Sequence, residues 1–212
     1  MTVRTLATGL HLLTLADYRR MRWKNGLGLT TEIAASPADA GLNGKPFDWR
    51  VSLAGVDTDC EFSSFPGYDR TILLAEGAGM ELSFDAAPPQ RIEQRFVPFN
   101  FKGEWHTQCR LLAGLVRDFN VMILRTRLTC HLEIVKQPGQ TLIWRAATET
   151  LLVYCFKGRA LLDGVGTIPL ELNEHHTLLV EKQTCASRSV PVEIFTRTAD
   201  TVAALIYLRY RQ

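Results

Sequence analysis

A chain of 212 residues, 46% hydrophobic and with 24 Lys and Arg against 22 Asp and Glu, is long enough to fill one large core or two small ones without disulfide staples. Its formal charge is only +2 and the basic residues are scattered, so bulk electrostatics give no case for nucleic acid. No window reaches the ~18 apolar residues of a membrane span, and the opening MTVRTLATGLHLLTL interrupts its apolar run at Thr8, Gly9, His11 and Thr14 with no small-residue cleavage site after it. The expectation is a cytoplasmic protein of bacterial type that engages neither nucleic acid nor membrane directly.

Taken in order, the chain first offers TLADYRRM, where Thr14 can cap one or two helical turns packed across an open end of a sheet. Next comes RWKNGLGLTTEI, residues 22–33. Its two glycines have no GK[ST] ending and no apolar strand leads into them, which argues against a phosphate loop. Gly26 and Gly28 let the backbone turn, placing Trp23, Lys24 and Asn25 at the rim of a cavity. Thr30 and Glu32 then alternate on one face as the segment becomes a strand.

From about residue 47 onward, short apolar runs punctuated by Gly, Pro and Asp read as strands: WRVSLAGV, RTILLAEG, MELSFD, FNVMILR, TLLVYCF, RALLDG, VEIFTRT and AALIYLRY. In FDWRVSLAG, alternation puts Arg50 and Ser52 on one face and Trp49, Val51 and Leu53 on the other. Such polar residues inside a strand are costly unless they pair or face a ligand. In EFSSFPGYDR, Phe62 and Phe65 anchor a Pro66-Gly67 turn and Arg70 opens the next strand. In RDFNVM, Asp118 and Asn120 share one face. Lys24, Arg50, Arg70 and Asn120 together form a donor set for a carboxylate, with Arg supplying bidentate geometry.

The segment TILLAEGAGMELSF, from Thr71, aligns without a gap on TLLVYCFKGRALLD, from Thr150, each with a glycine eight residues on (Gly79, Gly158). RFVPFNFKG near 95–103 has a counterpart in HHTLLVEK at 175–182. A duplication with an offset of 79 residues suggests an all-β chain of two tandem jelly-roll barrels with few short helices. The expected boundaries are 1–126, a barrel with a polar pocket, and 127–212, a mainly structural barrel, packed as one compact unit.

A jelly-roll metal site needs imidazoles alternating on one strand face. The histidines here are His11, His106, His131, His175 and His176, and the one adjacent pair would point to opposite faces of a strand. No metal or other cofactor is expected. The five cysteines, Cys60, Cys109, Cys130, Cys155 and Cys185, form no CxxC pair and read as reduced, buried thiols.

RWKNGLGLTTEI, DWRVSLA, FSSFPGYDR and DFNVM, in this order, resemble the HutD/Ves family of bacterial proteins, and the RWKNG form is nearer the HutD branch. The resemblance spans about 22–122 and continues loosely to the C-terminus. It implies a bicupin fold with one pocket, no dependence on the usual cupin metal, and a modulator of histidine catabolism that binds a pathway intermediate such as formylglutamate or urocanate. The family motif falls on Trp23, Asn25, Gly28, Thr30 and Glu32, then on Trp49, Arg50 and Ser52. It continues on Phe62, Ser63, Phe65, Pro66, Gly67 and Arg70, and ends on Asp118, Phe119, Asn120 and Met122.

The leading expectation is therefore a non-catalytic sensor or regulator. Lys24, Arg50 and Arg70 hold acidic groups of a small metabolite; Asn25, Ser52, Ser63 and Asn120 orient it; Trp23 and Phe65 wall the pocket, and Thr30 and Glu32 complete the ligand-binding set. The alternative is a metal-independent cupin enzyme, an isomerase, lyase or hydrolase acting on a small polar acid, with Glu32 as general acid or base assisted by Lys24. A homodimer is compatible with either, and the sequence singles out no surface for it.

Overall fold

The computed structural model describes residues 4–7, 9–23, 28–40, 45–136, 139–145, 149–163, 169–182, 190–196 and 199–211. Among them are twenty strands and no helix, and no helix long and apolar enough to cross a membrane. The helical candidate at Thr14 is a turn instead. The Thr14 backbone N–H and hydroxyl each donate to Asp17 Oδ2 at 2.9 Å, and the Asp17 N–H donates back to the Thr14 carbonyl at 2.9 Å. A side-chain carboxylate that satisfies the local backbone in this way competes with helix propagation. Arg19–Arg22 then extends as strand β3.

The chain forms two compact units, Tyr18–Leu128 and a second made of Met1–Asp17 with Thr129–Gln212. The division differs from the expected 1–126 and 127–212 in that the first residues belong with the C-terminal half. The cause is pairing: β2 (Leu10–Leu13) lies antiparallel to β18 (Thr177–Val180), with Leu13 opposite Thr177 and Leu10 opposite Val180. An alternating apolar strand is legible in sequence, but the sheet edge it joins is not.

In the Tyr18–Leu128 unit, one sheet has the order β10 (Phe99–Lys102), β7 (Tyr68–Glu76), β12 (Val116–Leu124), β5 (Trp49–Val56), β4 (Gly28–Ser36), β3. The other has the order β6 (Cys60–Phe62), β11 (Thr107–Leu111), β8 (Met80–Phe84), β9 (Gln90–Ile92). Apolar side chains from both sheets, among them Val56, Ile72, Leu74, Met80, Leu82 and Val116, form one core cluster, as facing sheets require.

In the second unit, one sheet runs β1 (Arg4–Ala7), β2, β18, β15 (Glu149–Lys157), β20 (Val202–Tyr210), β13 (Leu128–Val135). The other runs β14 (Gly139–Arg145), β19 (Val190–Thr196), β16 (Arg159–Asp163), β17 (Leu170–Asn173). The order β10-β7-β12-β5 thus recurs as β18-β15-β20-β13, and β6-β11-β8-β9 recurs as β14-β19-β16-β17. The two aligned hairpins of the sequence are β7–β8 and β15–β16, and their turn glycines Gly79 and Gly158 both have positive φ, 121° and 74°. The strand order repeats as the duplicated sequence pattern suggests.

The β7–β8 turn holds a second glycine with a stricter requirement. Gly77 has φ +102°, and a Cβ there would meet the Leu115 carbonyl oxygen at 2.6 Å and Val116 Cα at 2.9 Å. Gly114, at φ +59°, has open space around it. Gly77→Ala is expected to lower stability by about 2–3 kcal/mol and Gly114→Ala by about 1 kcal/mol. Denaturant unfolding of the two variants measures the difference; equal losses would contradict it.

Candidate ligand-binding site

The site grows from the register of β4, β5, β12 and β7. Asn120 on β12 lies opposite Ser52 on β5 and Ile72 on β7, and Ser52 lies opposite Glu32 on β4. One step along, Met122 lies between Arg50 and Arg70; one step the other way, Asp118 lies between Ala54 and Leu74, and Ala54 is opposite Thr30. Residues two apart on a strand share a face, so these three rungs form one surface. Ile72 and Leu74 of β7 belong to the apolar core, whereas Arg70 of β7 joins Arg50, Ser52, Asp118 and Asn120 of β5 and β12 as its polar part. A cavity of about 550 Å³ opens over it.

Two guanidinium groups dominate that cavity. Arg70, 6% exposed, stands 4.8 Å from the Phe101 ring centroid, 5.2 Å from Phe62 and 5.9 Å from Phe65. Arg50 stands 5.4 Å from Phe47 and 5.7 Å from Phe65. Each ring face attracts a cation by about 0.5–2 kcal/mol, more when water is excluded. Phe65, which lies against both, is fixed by the FPGY turn. Its N–H donates to the Gly103 carbonyl at 2.7 Å, Gly67 takes φ +84°, and the Tyr68 hydroxyl donates to the Phe47 carbonyl at 2.8 Å. Phe47, Tyr68 and Met122 complete this cluster. The Nε atoms of Arg50 and Arg70 are buried without a hydrogen-bond partner among the described residues.

The acidic side is sparser. Glu32 is ion-paired with Arg19 at 2.6 Å, and burial still raises its pKa against the pull of Arg19 and Arg50. Asp118, 1% exposed, has its pKa pushed up to about 7 by burial, with Arg70 and the Asn120 amide acting in the opposite direction. Burial also pulls Arg70 down to about 10, and it stays charged at neutral pH. With Glu32 neutralised by Arg19, the cavity floor carries two arginine charges against a carboxyl that is only part-ionised near pH 7. That balance favours a small anion.

The corresponding rungs of the second unit are built differently. Aligning the hairpins places Glu149 at the position of Arg70, and it is closed by Arg209 at 2.6 Å. Leu205 and Tyr207, opposite Val153 and Leu151, stand where Asp118 and Asn120 do.

Residues 15–196 match the HutD family. This chain belongs to that family. An uncharacterized 21.2 kDa protein in the hutC 3′ region of Pseudomonas putida is 38% identical over 143 residues, 68% of this chain and 72% of that protein. Protein Ves of Escherichia fergusonii is 36% identical over 110 residues, 50% of this chain and 55% of that protein. HutD from Pseudomonas fluorescens SBW25, solved in a formate condition, superposes with a TM-score of 0.79 at 32% identity, covering 96% of this chain and 100% of that one. A cupin 2 conserved barrel domain protein from Leptotrichia buccalis, at 10% identity and a TM-score of 0.57 over 97% of each chain, shares the fold alone.

In this HutD-family chain the structure brings most of the sequence candidates to one cavity. Arg50 and Ser52 reach it from β5, Arg70 from β7 and Asn120 from β12; Thr30 lines it from β4, and Ser63 and Phe65 from the loop after β6. Trp23 lines it as well. Its indole Nε1 donates to Thr30 Oγ1 at 2.8 Å, and the ring lies so close over Gly28 that a Cβ there would be 2.8 Å away. Lys24, Asn25 and Gly26 lie outside the described residues.

Glu32 departs from expectation. It shares the face but is taken up by Arg19, and it is not among the cavity's lining residues. Asp118, Glu61 and Arg22 line the cavity and were not among the candidates. The signal for Asp118 was its shared face with Asn120. His175 and His176 lie in the turn before β18 and not on a strand, with His175 Nδ1 2.8 Å from the Tyr154 hydroxyl. Among the described residues no three His, Cys, Asp or Glu side chains cluster as a metal site needs.

The raised pKa of Asp118 has a definite sign. A carboxyl that binds its proton more tightly when folded contributes stability below its unfolded pKa and loses that contribution as pH rises through the folded value. The ordinary aspartate value is about 3.8 and the folded value about 7. Asp118→Asn removes this loss, so its stability relative to the natural chain is expected to rise between pH 5 and pH 8. Urea unfolding at the two pH values measures it; a pH-independent difference would contradict the assignment.

Proposed function

We propose that this HutD-family chain is a non-catalytic small-molecule-binding regulator or sensor of histidine utilisation. It takes a small acidic intermediate, formylglutamate-like or urocanate-like, into the cavity of the Tyr18–Leu128 unit. The observation that carries this reading is the pair of aromatic-backed arginines, Arg50 and Arg70, whose Nε donors have no partner among the described residues. A carboxylate offers two oxygens that match guanidinium forks. Ser52, Ser63 and Asn120 orient the bound acid, and Trp23 and Phe65 wall it.

We read the two repeated strand sets as tandem jelly rolls of bicupin type, with the second unit mainly structural because Glu149 and Arg209 neutralise each other where the first unit keeps Arg70 for a ligand. The setting is the cytoplasm, the partner a small acidic metabolite, and the assembly a monomer or homodimer. The relative in the hutC 3′ region and the HutD neighbour support the link to histidine utilisation.

A second reading is a metal-independent cupin enzyme, and the observation favouring it is a buried carboxyl with a pKa of about 7 in the cavity, suited to proton transfer at neutral pH. On that reading Asp118 replaces Glu32 as the acid or base. Consumption of a candidate acid that stops with Asp118→Asn would establish it.

Titration calorimetry with urocanate, formylglutamate and formiminoglutamate tests the leading reading. At least one should bind, and Arg50→Ala and Arg70→Ala should each weaken it by about tenfold or more, the scale of one charged hydrogen bond. Absence of heat with all three acids would contradict it.

A further inference from the structure

The polar groups of the cavity are of two kinds, and a bare carboxylate satisfies only one. At the Met122 rung stand the donors, Arg50 and Arg70. At the two rungs toward the other end of the face stand acceptors, Asn120 Oδ1 and Asp118 Oδ1, both buried and without a hydrogen-bond partner among the described residues. Asp118 and Asn120 are 1% and 4% exposed and both line the cavity. From Asp118 to Met122 is about 13 Å of strand, part of which the long arginine side chains span. A ligand whose carboxylate meets the arginines therefore extends toward a desolvated acceptor. Leaving such a group unmatched costs on the order of 1–3 kcal/mol, more if it is charged.

Resting on the reading of this cavity as an acid-binding pocket, we propose that Asp118 is its specificity-determining residue. Asp118 Oδ1 accepts an N–H of the ligand, so the pocket selects carboxylates that also carry an amide, amidine or imidazole N–H over acids of the same size without one.

The groups around Asp118 define how this selection responds to pH. Arg70 on β7 supplies positive charge, with Arg50 on β5 beside Arg70; Thr30 on β4 and Asn120 on β12 are neutral, and the Asn120 amide hydrogen-bonds the Asp118 carboxyl. From the other sheet come the thiols of Cys60 and Cys109, which in turn face Asp59 before β6. Glu61 lies at the rim, 3.2 Å from His106. Burial holds the Asp118 carboxyl at a pKa of about 7, so it is mainly an acceptor at pH 8 and a protonated donor at pH 6. Selection for N–H should be strong at pH 8 and weak at pH 6.

The test is calorimetry on the full chain with N-formylglutamate and its carba analogue, in which CH2 replaces the N–H and both carboxylates are kept. The expected result is at least about tenfold tighter binding of the N–H ligand at pH 8, falling to less than about threefold at pH 6. Asp118→Asn should make the ratio independent of pH, and Asp118→Val should bring it to about one, while Arg50→Ala weakens both ligands alike. Equal binding of the two ligands to the natural chain at pH 8 would overturn the proposal and leave the acid-binding reading intact. Failure of both to bind would overturn the acid-binding reading and the proposal together.

Discussion

Two arginines set against one aromatic ring, Arg70 buried and Arg50 half-buried, set the terms for the rest of the site. A guanidinium brought out of water needs compensation, and here Arg50 and Arg70 obtain it from ring faces, with Phe65 shared between them. That arrangement requires the FPGY turn to hold Phe65, Gly103 to receive its N–H, and Tyr68 to tie the turn to Phe47. Ring faces neutralise no charge and offer no hydrogen-bond acceptor in the guanidinium plane. The cation edges therefore keep a hydrogen-bonding capacity of the kind an anion satisfies.

The repeated unit shows the same scaffold satisfying that capacity internally. At the position that Arg70 takes in β7, Glu149 opens β15 and pairs with Arg209 across the sheet. Where Asp118 and Asn120 punctuate β12, Leu205 and Tyr207 continue an apolar face packed with Leu151 and Val153. The strand order that the two units share therefore carries different chemistry at matching positions, cationic and polar in one and charge-paired and apolar in the other.

Much of this was legible in the chain because strand alternation is local. Arg50 with Ser52, and Asp118 with Asn120, could be assigned to one face from spacing alone, and the glycine hairpins at Gly79 and Gly158 exposed the repeat. What stayed hidden depends on long-range pairing. Only β3 lying beside β4 shows that Arg19 reaches Glu32, and the register shift between Glu32 and Ala34 adds a residue that spacing cannot reveal. The turn at Thr14 depended on one carboxylate, Asp17, folding back. The burial that makes Asp118 a near-neutral titrating group comes from both sheets, so its importance could not be read from its neighbours in sequence.

The paired arginines can be observed directly through their side-chain 15Nε–H signals during titration with urocanate or formylglutamate. The expected result is that the signals of Arg50 and Arg70 shift on binding, while that of Arg125, already bonded to Asp69 at 2.9 Å, stays in place. Binding that leaves the Arg50 and Arg70 signals unmoved would contradict the assignment of the carboxylate to this pair.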